Sequence, residues 1–264
     1  MERDRRGIQS IEVGGQLLLA LAADGRPMML RDLAKAAGMA PAKAHPYLVS
    51  FGKLGLIEQD ATSGFYQLGP FALQLGLTRL RQLNAIREAT TAVRQLVGEI
   101  DQTVALAVWG NQGPTIVHIE QSSHPLHVNM RPGTVMSLLE TATGKVFAAC
   151  LPPKITGPLT RREMRLALRM DGSRHRITRA EIDASLTVVR DHGMAQAVGQ
   201  PIPGINALSA PVFDHSGQIE LAITALGPAG TFDPSWDGVI ARSLRACAAE
   251  VSRRIGAGPR EPAA

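Results

Sequence analysis

The chain is poor in aromatic residues and in cysteine. Aromatic residues make up 4% of its 264 residues and hydrophobic residues make up 45%, so its cores must be built from Leu, Val, Ile, Met and Ala. Its two cysteines, Cys150 and Cys247, lie far apart in apolar stretches with helical spacing, which excludes a disulfide scaffold and a metal knuckle. We interpret both cysteines as core residues, and a redox role is the minor alternative.

Long apolar runs are also missing. No run approaches the roughly 20 apolar residues that a membrane-spanning helix needs. The N-terminal segment MERDRRGIQS is charged, and no apolar signal-peptide core follows it. We therefore expect a cytoplasmic protein without a membrane partner.

The signatures of common enzymes are not found either. The run TATGK from Thr141 resembles the end of a phosphate loop. It does not match that motif, because Leu139 stands where a glycine is required and no Ser or Thr follows Lys145. His118, His124 and His127 are close in sequence but have no companion cysteine or paired acids, which favours half-exposed strand histidines over a metal site. We predict that the chain is not an enzyme and needs no metal or other cofactor.

Positive charge is in excess. The chain has 28 Lys and Arg residues and 23 Asp and Glu residues, which gives a formal net charge of +5. This excess permits nucleic-acid binding through phosphate neutralisation. Seven arginines are concentrated in the middle of the chain, and we interpret them as a solvated helix face, with a second nucleic-acid or partner surface as the alternative. They are Arg161, Arg162, Arg165, Arg169, Arg174, Arg176 and Arg179.

The N-terminal quarter has the pattern of a helix-turn-helix. A first helix is predicted within residues 8–23, although Gly14 and Gly15 weaken it and favour a start near Gln16. A second, short helix is predicted over residues 30–37.

A tight turn and a third helix follow. Gly38 stands at a helix C-cap, where a left-handed backbone is favoured, and Pro41 suits the first turn of a helix that ends near residues 52–55. Two short helices joined by a tight glycine turn are typical of a helix-turn-helix. Residues 56–59 and 65–68 then predict a β-hairpin, which at this place would be the wing of a winged helix.

Residues 70–87 carry leucines with helical spacing and predict a linker helix that Pro70 starts. A second domain with mixed helices and antiparallel strands follows, in which we find no internal repeat. Its predicted helices cover residues 89–100, 141–151, two or three segments within 160–192 that end with 179–192, and 235–255. Its predicted strands cover three segments within residues 103–131, and then 207–213 and 220–226. The last residues are expected to be disordered.

Short motifs in this order resemble the IclR family of bacterial regulators over nearly the whole chain. The motifs are GIQSIE from Gly7, Leu33-Ala34 through Gly38, LGLI from Leu54, GFYQLG from Gly64, TATGK from Thr141, HGMA from His192, Pro203-Gly204 and SAPV from Ser209. The resemblance implies an α+β fold with a winged helix-turn-helix over residues 1–70, a linker helix over 71–88, a GAF-like effector-binding domain over 89–256 and a disordered tail over 257–264. It also implies homodimers or homotetramers that bind double-stranded operator DNA and sense small organic acids, aromatic acids among them.

A recognition helix places its N-terminal residues at base edges in the major groove. Here these residues are Ala42, Lys43, His45 and Tyr47, of which Tyr47 is as well explained by packing. Phosphate contacts, which position a protein without specifying sequence, are predicted for six further residues, and for each a merely solvated side chain is an equal alternative. They are Arg5, Arg6, Lys35, Lys53, Thr62 and Ser63.

Pro46 conflicts with the recognition helix. It falls in the second turn, lacks the N–H that would bond to the Ala42 carbonyl, and crowds that turn at a cost of about 3 kcal/mol. We predict a kink or a displaced first turn. Because the family carries an arginine after the histidine at this place, the alternative function is a sensing or interaction protein with weak or lost sequence-specific DNA binding.

The resemblance places the effector at the start of a helix, where the amides of Thr143 and Gly144 would hold a carboxylate because helix N-termini attract anions. Polar anchors of acid-sensing members fall at Ala197, Ala207 and Thr224, two of which are apolar here. Gln200 and Asn206 can both donate and accept hydrogen bonds. The apolar wall is predicted to consist of Val128, Met136 and Leu138, of which Met136 and Leu138 are equally well explained as core.

Overall fold

The computed structural model describes residues 7–123, 128, 130–170 and 178–258. By its internal contacts the chain divides into two units, Met1–Leu83 and Asn84–Ala264. Within the described ranges, no helix is both long and apolar enough to cross a membrane.

The first unit contains four helices and a two-stranded sheet in its described part. The elements are α1 Gln9–Asp24, α2 Leu30–Ala36, α3 Pro41–Lys53, β1 Ile57–Gln59, β2 Tyr66–Leu68 and α4 Pro70–Gln82. Helices α1, α2 and α3 bury leucines against one another, among them Leu17, Leu33 and Leu48. The predicted helix-turn-helix is therefore present.

Helix α1 begins at Gln9, so the prediction of a start near Gln16 is wrong. Gly14 is needed for packing: a Cβ at this position would lie 2.7 Å from Cδ1 of Tyr47 and 3.2 Å from Cζ of Phe51, both on α3. The close approach of two helices explains the glycine better than a weak helix start does.

The turn between α2 and α3 has the predicted left-handed glycine, because Gly38 has a φ of +66°. The wing is confirmed as an antiparallel hairpin in which Ile57 pairs with Leu68. Met28 also exchanges backbone hydrogen bonds of 2.8 and 2.9 Å with Tyr66, which ties the segment before α2 to the wing.

The predicted linker helix over residues 70–87 is shorter than expected, and the helix after it begins earlier. Helix α4 ends at Gln82, and α5 begins at Ala85, where the Asn84 side chain accepts the Arg87 N–H at 3.0 Å as an N-cap. The predicted boundary near residue 88 therefore needs correction by a few residues. Asparagine is a strong N-cap residue, and it was the missed signal.

The second unit is a five-stranded antiparallel sheet covered by helices. Its elements are α5 Ala85–Ile100, β3 Thr103–Gly110, β4 Gly113–Glu120, α6 Ala142–Cys150, α7 Pro153–Met170, α8 Arg179–His192, β5 Ala195–Val198, β6 Ile205–Phe213, β7 Ile219–Pro228 and α9 Val239–Arg254. The strand order is β4-β3-β7-β6-β5. This bears out a mixed α+β fold with a C-terminal α/β domain.

The two faces of the sheet carry different helices. Ala105 and Ala107 of β3 pack with Val146 and Phe147 of α6 in one core cluster. Because side chains alternate along a strand, the buried residues between them face the opposite side, where α5 and α9 contact the sheet.

Two predicted elements of the second unit need correction, and one strand was missed. The third predicted strand within 103–131 is not formed at Val128 and Met130, and the rest of that segment lies partly outside the described residues. The four-residue strand β5 was missed. The closing helix begins at Val239 instead of residue 235, because Asp233 accepts hydrogen bonds from the N–H and the hydroxyl of Ser235 and holds that segment in a turn. The remaining predicted elements are present with shifts at their ends, and α8 matches in full.

Candidate functional site

The candidate DNA surface is the N-terminal half of α3. Ala44 and Leu48 point into the core of the first unit, whereas Ala42, Lys43 and His45 are exposed. This division follows from helical periodicity, since positions 44 and 48 are one turn apart. These three residues, which are predicted to contact bases, are therefore accessible at the surface of the first unit.

Tyr47 differs from its neighbours on α3. It is half-buried and lies against α1, where a Cβ added to Gly14 would come within 2.7 Å of its ring. This contact favours the packing interpretation of Tyr47 over base contact.

Pro46 lies inside an uninterrupted α3. The first turn is in place, because the N–H groups of Lys43 and Ala44 both donate to the Ala40 carbonyl at 3.0 Å. The alternative of a displaced first turn is therefore wrong, and a kink stays a prediction. The hydroxyl of Ser50 donates to the Pro46 carbonyl at 3.0 Å on the exposed side of the helix.

The predicted phosphate contacts lie on three elements of the first unit. Lys35 is exposed on α2, Lys53 is exposed at the end of α3, and Thr62 and Ser63 are exposed in the wing turn. Asp60 organises that turn, because it accepts the N–H groups of Thr62 and Ser63 at 3.0 and 2.6 Å and the Ser63 hydroxyl at 2.7 Å. Arg5 and Arg6 lie outside the described residues.

The candidate effector site is a cavity of about 200 Å³ in the second unit. It lies between the start of α6, strands β3, β6 and β7, and the segments before α6 and after β5. Six of the predicted residues line it, namely Val128, Met136, Thr143, Gln200, Ala207 and Thr224, together with Ala197. Their part in effector binding stays a prediction.

Three predicted residues do not line the cavity. Leu138 is fully buried in the core, and its N–H donates to Glu163 at 2.8 Å. The N–H of Gly144 donates to the Thr141 hydroxyl at 2.9 Å and is not available for a ligand. Asn206 accepts the Gly199 N–H at 3.1 Å and donates to the Phe232 carbonyl at 3.2 Å, so it holds the chain beside the cavity.

Gly144 has a packing role instead. A Cβ at this position would lie 2.0 Å from the Ser137 carbonyl oxygen and 2.6 Å from Cα of Leu138. The residue thus allows the start of α6 to approach the segment before it, which carries the cavity residue Met136.

Several lining residues were missed in the sequence. They are Ala105, Met130, Thr134, Thr141, Ala142, Pro201, Ile202, Ile205 and Leu226. Thr141 could have been found, because a threonine directly before a helical stretch is an N-cap signal. The lining segment 200–202 follows β5, which was itself missed because four residues give little periodicity.

The cavity is uncharged. Among the described residues that line it, none has a charged side chain. The nearest cation along α6 is Lys145, which is half-buried and donates to the Gln196 carbonyl at 3.4 Å. Burial lowers the pKa of the Lys145 ammonium, because desolvation disfavours its charged form.

The histidine and the two cysteines considered for metal or redox chemistry show no arrangement that activates them within the described residues. His118 lies 3.2 Å from a carboxylate oxygen of Glu120. Burial, and secondarily the neighbouring Glu99, raise the pKa of the Cys247 thiol to about 11, which disfavours the reactive thiolate. Cys150 is also only half-buried, so neither cysteine is a full core residue.

The central arginines lie on exposed positions where the structure describes their side chains. Arg161, Arg162 and Arg165 are exposed on α7, and Arg179 is exposed and pairs with Asp183 at 3.2 Å. This agrees with a solvated helix face. Arg174 and Arg176 lie outside the described residues.

Two family models match the chain in the two units. The IclR helix-turn-helix domain matches residues 10–61, and the bacterial transcriptional regulator IclR C-terminal domain matches residues 77–253. The second match alone covers more than half of the chain. The chain belongs to the IclR family of bacterial transcriptional regulators.

Individual relatives agree over nearly the full length. The glycerol operon regulatory protein of Streptomyces griseus is 31% identical over 96% of this chain and 98% of that protein. The crystal structure of Pseudomonas aeruginosa HmgR is 34% identical, with a TM-score of 0.85 over 96% of this chain and 100% of that chain. The transcriptional repressor IclR of Escherichia coli strain K12 is 23% identical over 84% of this chain and 80% of its own length.

These matches confirm the predicted family. They also confirm that this IclR-family chain is a DNA-binding regulator and not an enzyme.

Proposed function

We propose that this IclR-family regulator binds a palindromic operator as a dimer or tetramer in the cytoplasm, and that a small organic acid in its second unit controls that binding. The observation that carries the proposal is the exposed N-terminal half of α3, where Lys43 and His45 flank the buried anchor Ala44. A helix anchored on one side and exposed on the other can enter a major groove.

Helix α4 supports self-association. No residue of α4, all of which the structure describes, is buried, although the helix carries several large apolar side chains. They are Phe71, Leu73, Leu75, Leu77 and Leu80, each exposed by 40% or more. Leu73, Leu77 and Leu80 share one face of α4 because they are spaced by about one turn, and an exposed apolar stripe of this kind marks an interface. A twofold dimer would match the symmetry of a palindromic site.

The cavity supports a small carboxylate effector. Its volume of about 200 Å³ suits a small molecule, and the N–H groups of Ala142 and Thr143 at the start of α6 have no acceptor among the described residues. Backbone N–H groups and the helix dipole at this end favour a negative charge.

The first experiment is a titration of the full chain, at one physiological salt concentration, with its own upstream intergenic DNA and with a scrambled duplex. We expect its own DNA to bind at least about 1,000-fold more tightly, which is the usual ratio for specific sites. Equal weak binding to both duplexes would contradict the proposal. Size-exclusion chromatography with light scattering on the wild type and on L73E tests the proposed role of α4, since a buried glutamate would break the interface.

Pro46 favours a second candidate function, a sensing or interaction protein with weak sequence-specific DNA binding. Proline inside α3 removes one helical hydrogen bond and leaves no donor for a phosphate. The variants P46R and P46A separate the two effects. Gain of specific binding only by P46R would show that a cationic contact is missing, whereas gain by both would show that helix geometry is at fault.

A further inference from the structure

Helix α7 presents different residues on its two faces. Thr156, Thr160 and Glu163 share the inner face, because they are three or four residues apart, and both threonines are buried. Glu163 is the only acidic residue of the helix. Its carboxylate accepts hydrogen bonds from the Ser137 hydroxyl and the Leu138 N–H at 2.8 Å each, so this negative charge is bound to the segment before α6.

The outer face of α7 is cationic and partly apolar. Its residues are all exposed and recur at intervals of three or four positions, which places them together on the side opposite Glu163. They are Ile155, Pro158, Arg161, Arg162, Arg165 and Leu166, and we name this surface the arginine face. The three arginines, with Pro158 and Leu166, line a depression of about 390 Å³.

The positive charges of the arginine face are not balanced within the described residues. Arg161, Arg162 and Arg165 form no ion pair there, and neither does Lys154 at the start of the same face. Arg161 and Arg165 are one turn apart, and like charges at this spacing destabilise a helix. Both lie more than a turn before the end of α7 at Met170, so the helix dipole compensates them little. A bound anion would remove this repulsion.

The composition of the arginine face favours an acidic protein segment over nucleic acid. Phosphate contacts to DNA need cations, but they need no apolar surface beside them. Here Ile155 and Leu166 are each 45% exposed and flank the guanidinium groups, and Pro158 is exposed between them. Arginine beside exposed apolar side chains is typical of protein interfaces. A guanidinium group also matches a carboxylate with two parallel hydrogen bonds.

We infer that the arginine face binds an acidic, amphipathic helix of another protein, whose carboxylates pair with the three arginines and whose apolar side chains contact Ile155 and Leu166. These two residues are separated by about 16 Å along α7, which matches about three turns of a partner helix. An interface of this size is at the small end of the range for specific contacts, so the complex should be weak and transient. The inference depends neither on DNA binding by α3 nor on the effector cavity.

Two matched peptides test this inference by calorimetry on the full chain at physiological salt. The first is SEELLAELEELLAELS, which forms an acidic helix with one leucine stripe. The second has glutamine in place of every glutamate and keeps the helix propensity. We expect the acidic peptide to bind with a Kd of about 1–100 µM and the glutamine peptide to bind at least about tenfold more weakly. Equal binding of the two peptides, or binding of neither, overturns the inference.

Charge reversal locates the contact. We expect R162E to weaken binding of the acidic peptide at least about tenfold, because attraction is replaced by repulsion. R87E is the matched control, since Arg87 is also exposed, lies on α5 and forms no ion pair within the described residues. A peptide with lysine in place of glutamate should bind the variant R161E/R162E/R165E and not the wild type. Equal losses in R162E and R87E, with both proteins folded by circular dichroism, overturn the assignment to the arginine face.

Two further measurements separate the other anions that could occupy this face. If R162E weakens binding of the upstream DNA as much as it weakens binding of the peptide, the face is a nucleic-acid surface and the inference fails. If inorganic pyrophosphate displaces the acidic peptide from the wild type at micromolar concentration, the face is a site for a small anion and the inference also fails. Unchanged DNA binding by R162E, with no displacement by pyrophosphate, supports the protein partner.

Discussion

The two units of the chain carry their candidate sites in opposite ways. In the first unit, Lys43 and His45 are exposed, and the structure gives their side chains no hydrogen bond within the described residues. In the second unit, Thr143 and Thr224 are buried and bound to each other. The comparison teaches that the exposed face of α3 follows from the periodicity of one helix, whereas the buried cavity depends on hydrogen bonds and packing between segments far apart in the chain.

The largest expected effect is the loss of stability caused by a methyl group at Gly144 in the second unit. In G144A the new methyl group meets backbone at 2.0 Å, so we expect a loss of at least about 3 kcal/mol in the free energy of unfolding by urea. G98A on α5 is the control: nothing lies within 4 Å, and alanine should stabilise the helix by up to about 1 kcal/mol.

G69A creates the same kind of steric clash in the first unit, because a Cβ at this position would lie 2.4 Å from the Gly55 carbonyl oxygen. Hydrogen exchange should then rise mainly within residues 9–83, and in G144A mainly within residues 85–258. Exchange that rises equally in both units for either variant would contradict the division of the chain into separate units.

Removal of the Glu163 carboxylate should have the next largest effect. This side chain on α7 accepts hydrogen bonds from the Ser137 hydroxyl at 2.8 Å and from the N–H groups of Leu138 and Leu139 at 2.8 and 3.1 Å. We expect E163A to cost about 2–3 kcal/mol in urea unfolding, since it leaves amides unpaired beside the cavity. D183A, which breaks only an exposed ion pair with Arg179, should cost less than about 0.5 kcal/mol.

Loss of a cation on α3 should affect DNA binding without affecting stability. We expect K43A to weaken binding to the upstream DNA by about 10- to 100-fold, the usual range for a specific contact, with an unchanged midpoint of urea unfolding. R161A removes an exposed cation of the second unit and should leave the affinity unchanged. An equal loss in both variants would instead support the second nucleic-acid surface.

The smallest effect is expected at the tip of the wing. The Ser63 N–H, the Ser63 hydroxyl and the Thr62 N–H donate to Asp60 and lower the pKa of its carboxyl group. A lowered folded-state pKa stabilises the protein at pH values above the unfolded pKa, and this contribution is lost as the pH falls through the folded pKa. D60N should therefore lower the Tm slightly at pH 7 and by less near pH 3. A difference that grows with acidity would contradict this.

The sequence was most informative where a local signal existed. The left-handed Gly38, the wing hairpin and helix α8 follow from turn residues, alternation and capping, all of which act between residues close in the chain. The start of α1 was misplaced because Gly14 is explained by Tyr47 and Phe51, more than 30 residues away. Asn206 and Leu138 were assigned to the cavity because proximity in sequence does not say which way a side chain points.

By itself, the sequence determined the order of most elements, the helix-turn-helix with its wing, the α+β class and the family. These follow from periodicity, caps and motifs, which are properties of short segments. Only the tertiary structure decided that Thr143, Thr224 and Ser209 form one chain of hydroxyls, and that Gly144 lies close against the backbone of Ser137 and Leu138 with its N–H bonded to Thr141. The physical reason is that hydrogen-bond partners and close backbone contacts involve residues up to 81 positions apart, which only the folded sheet brings together.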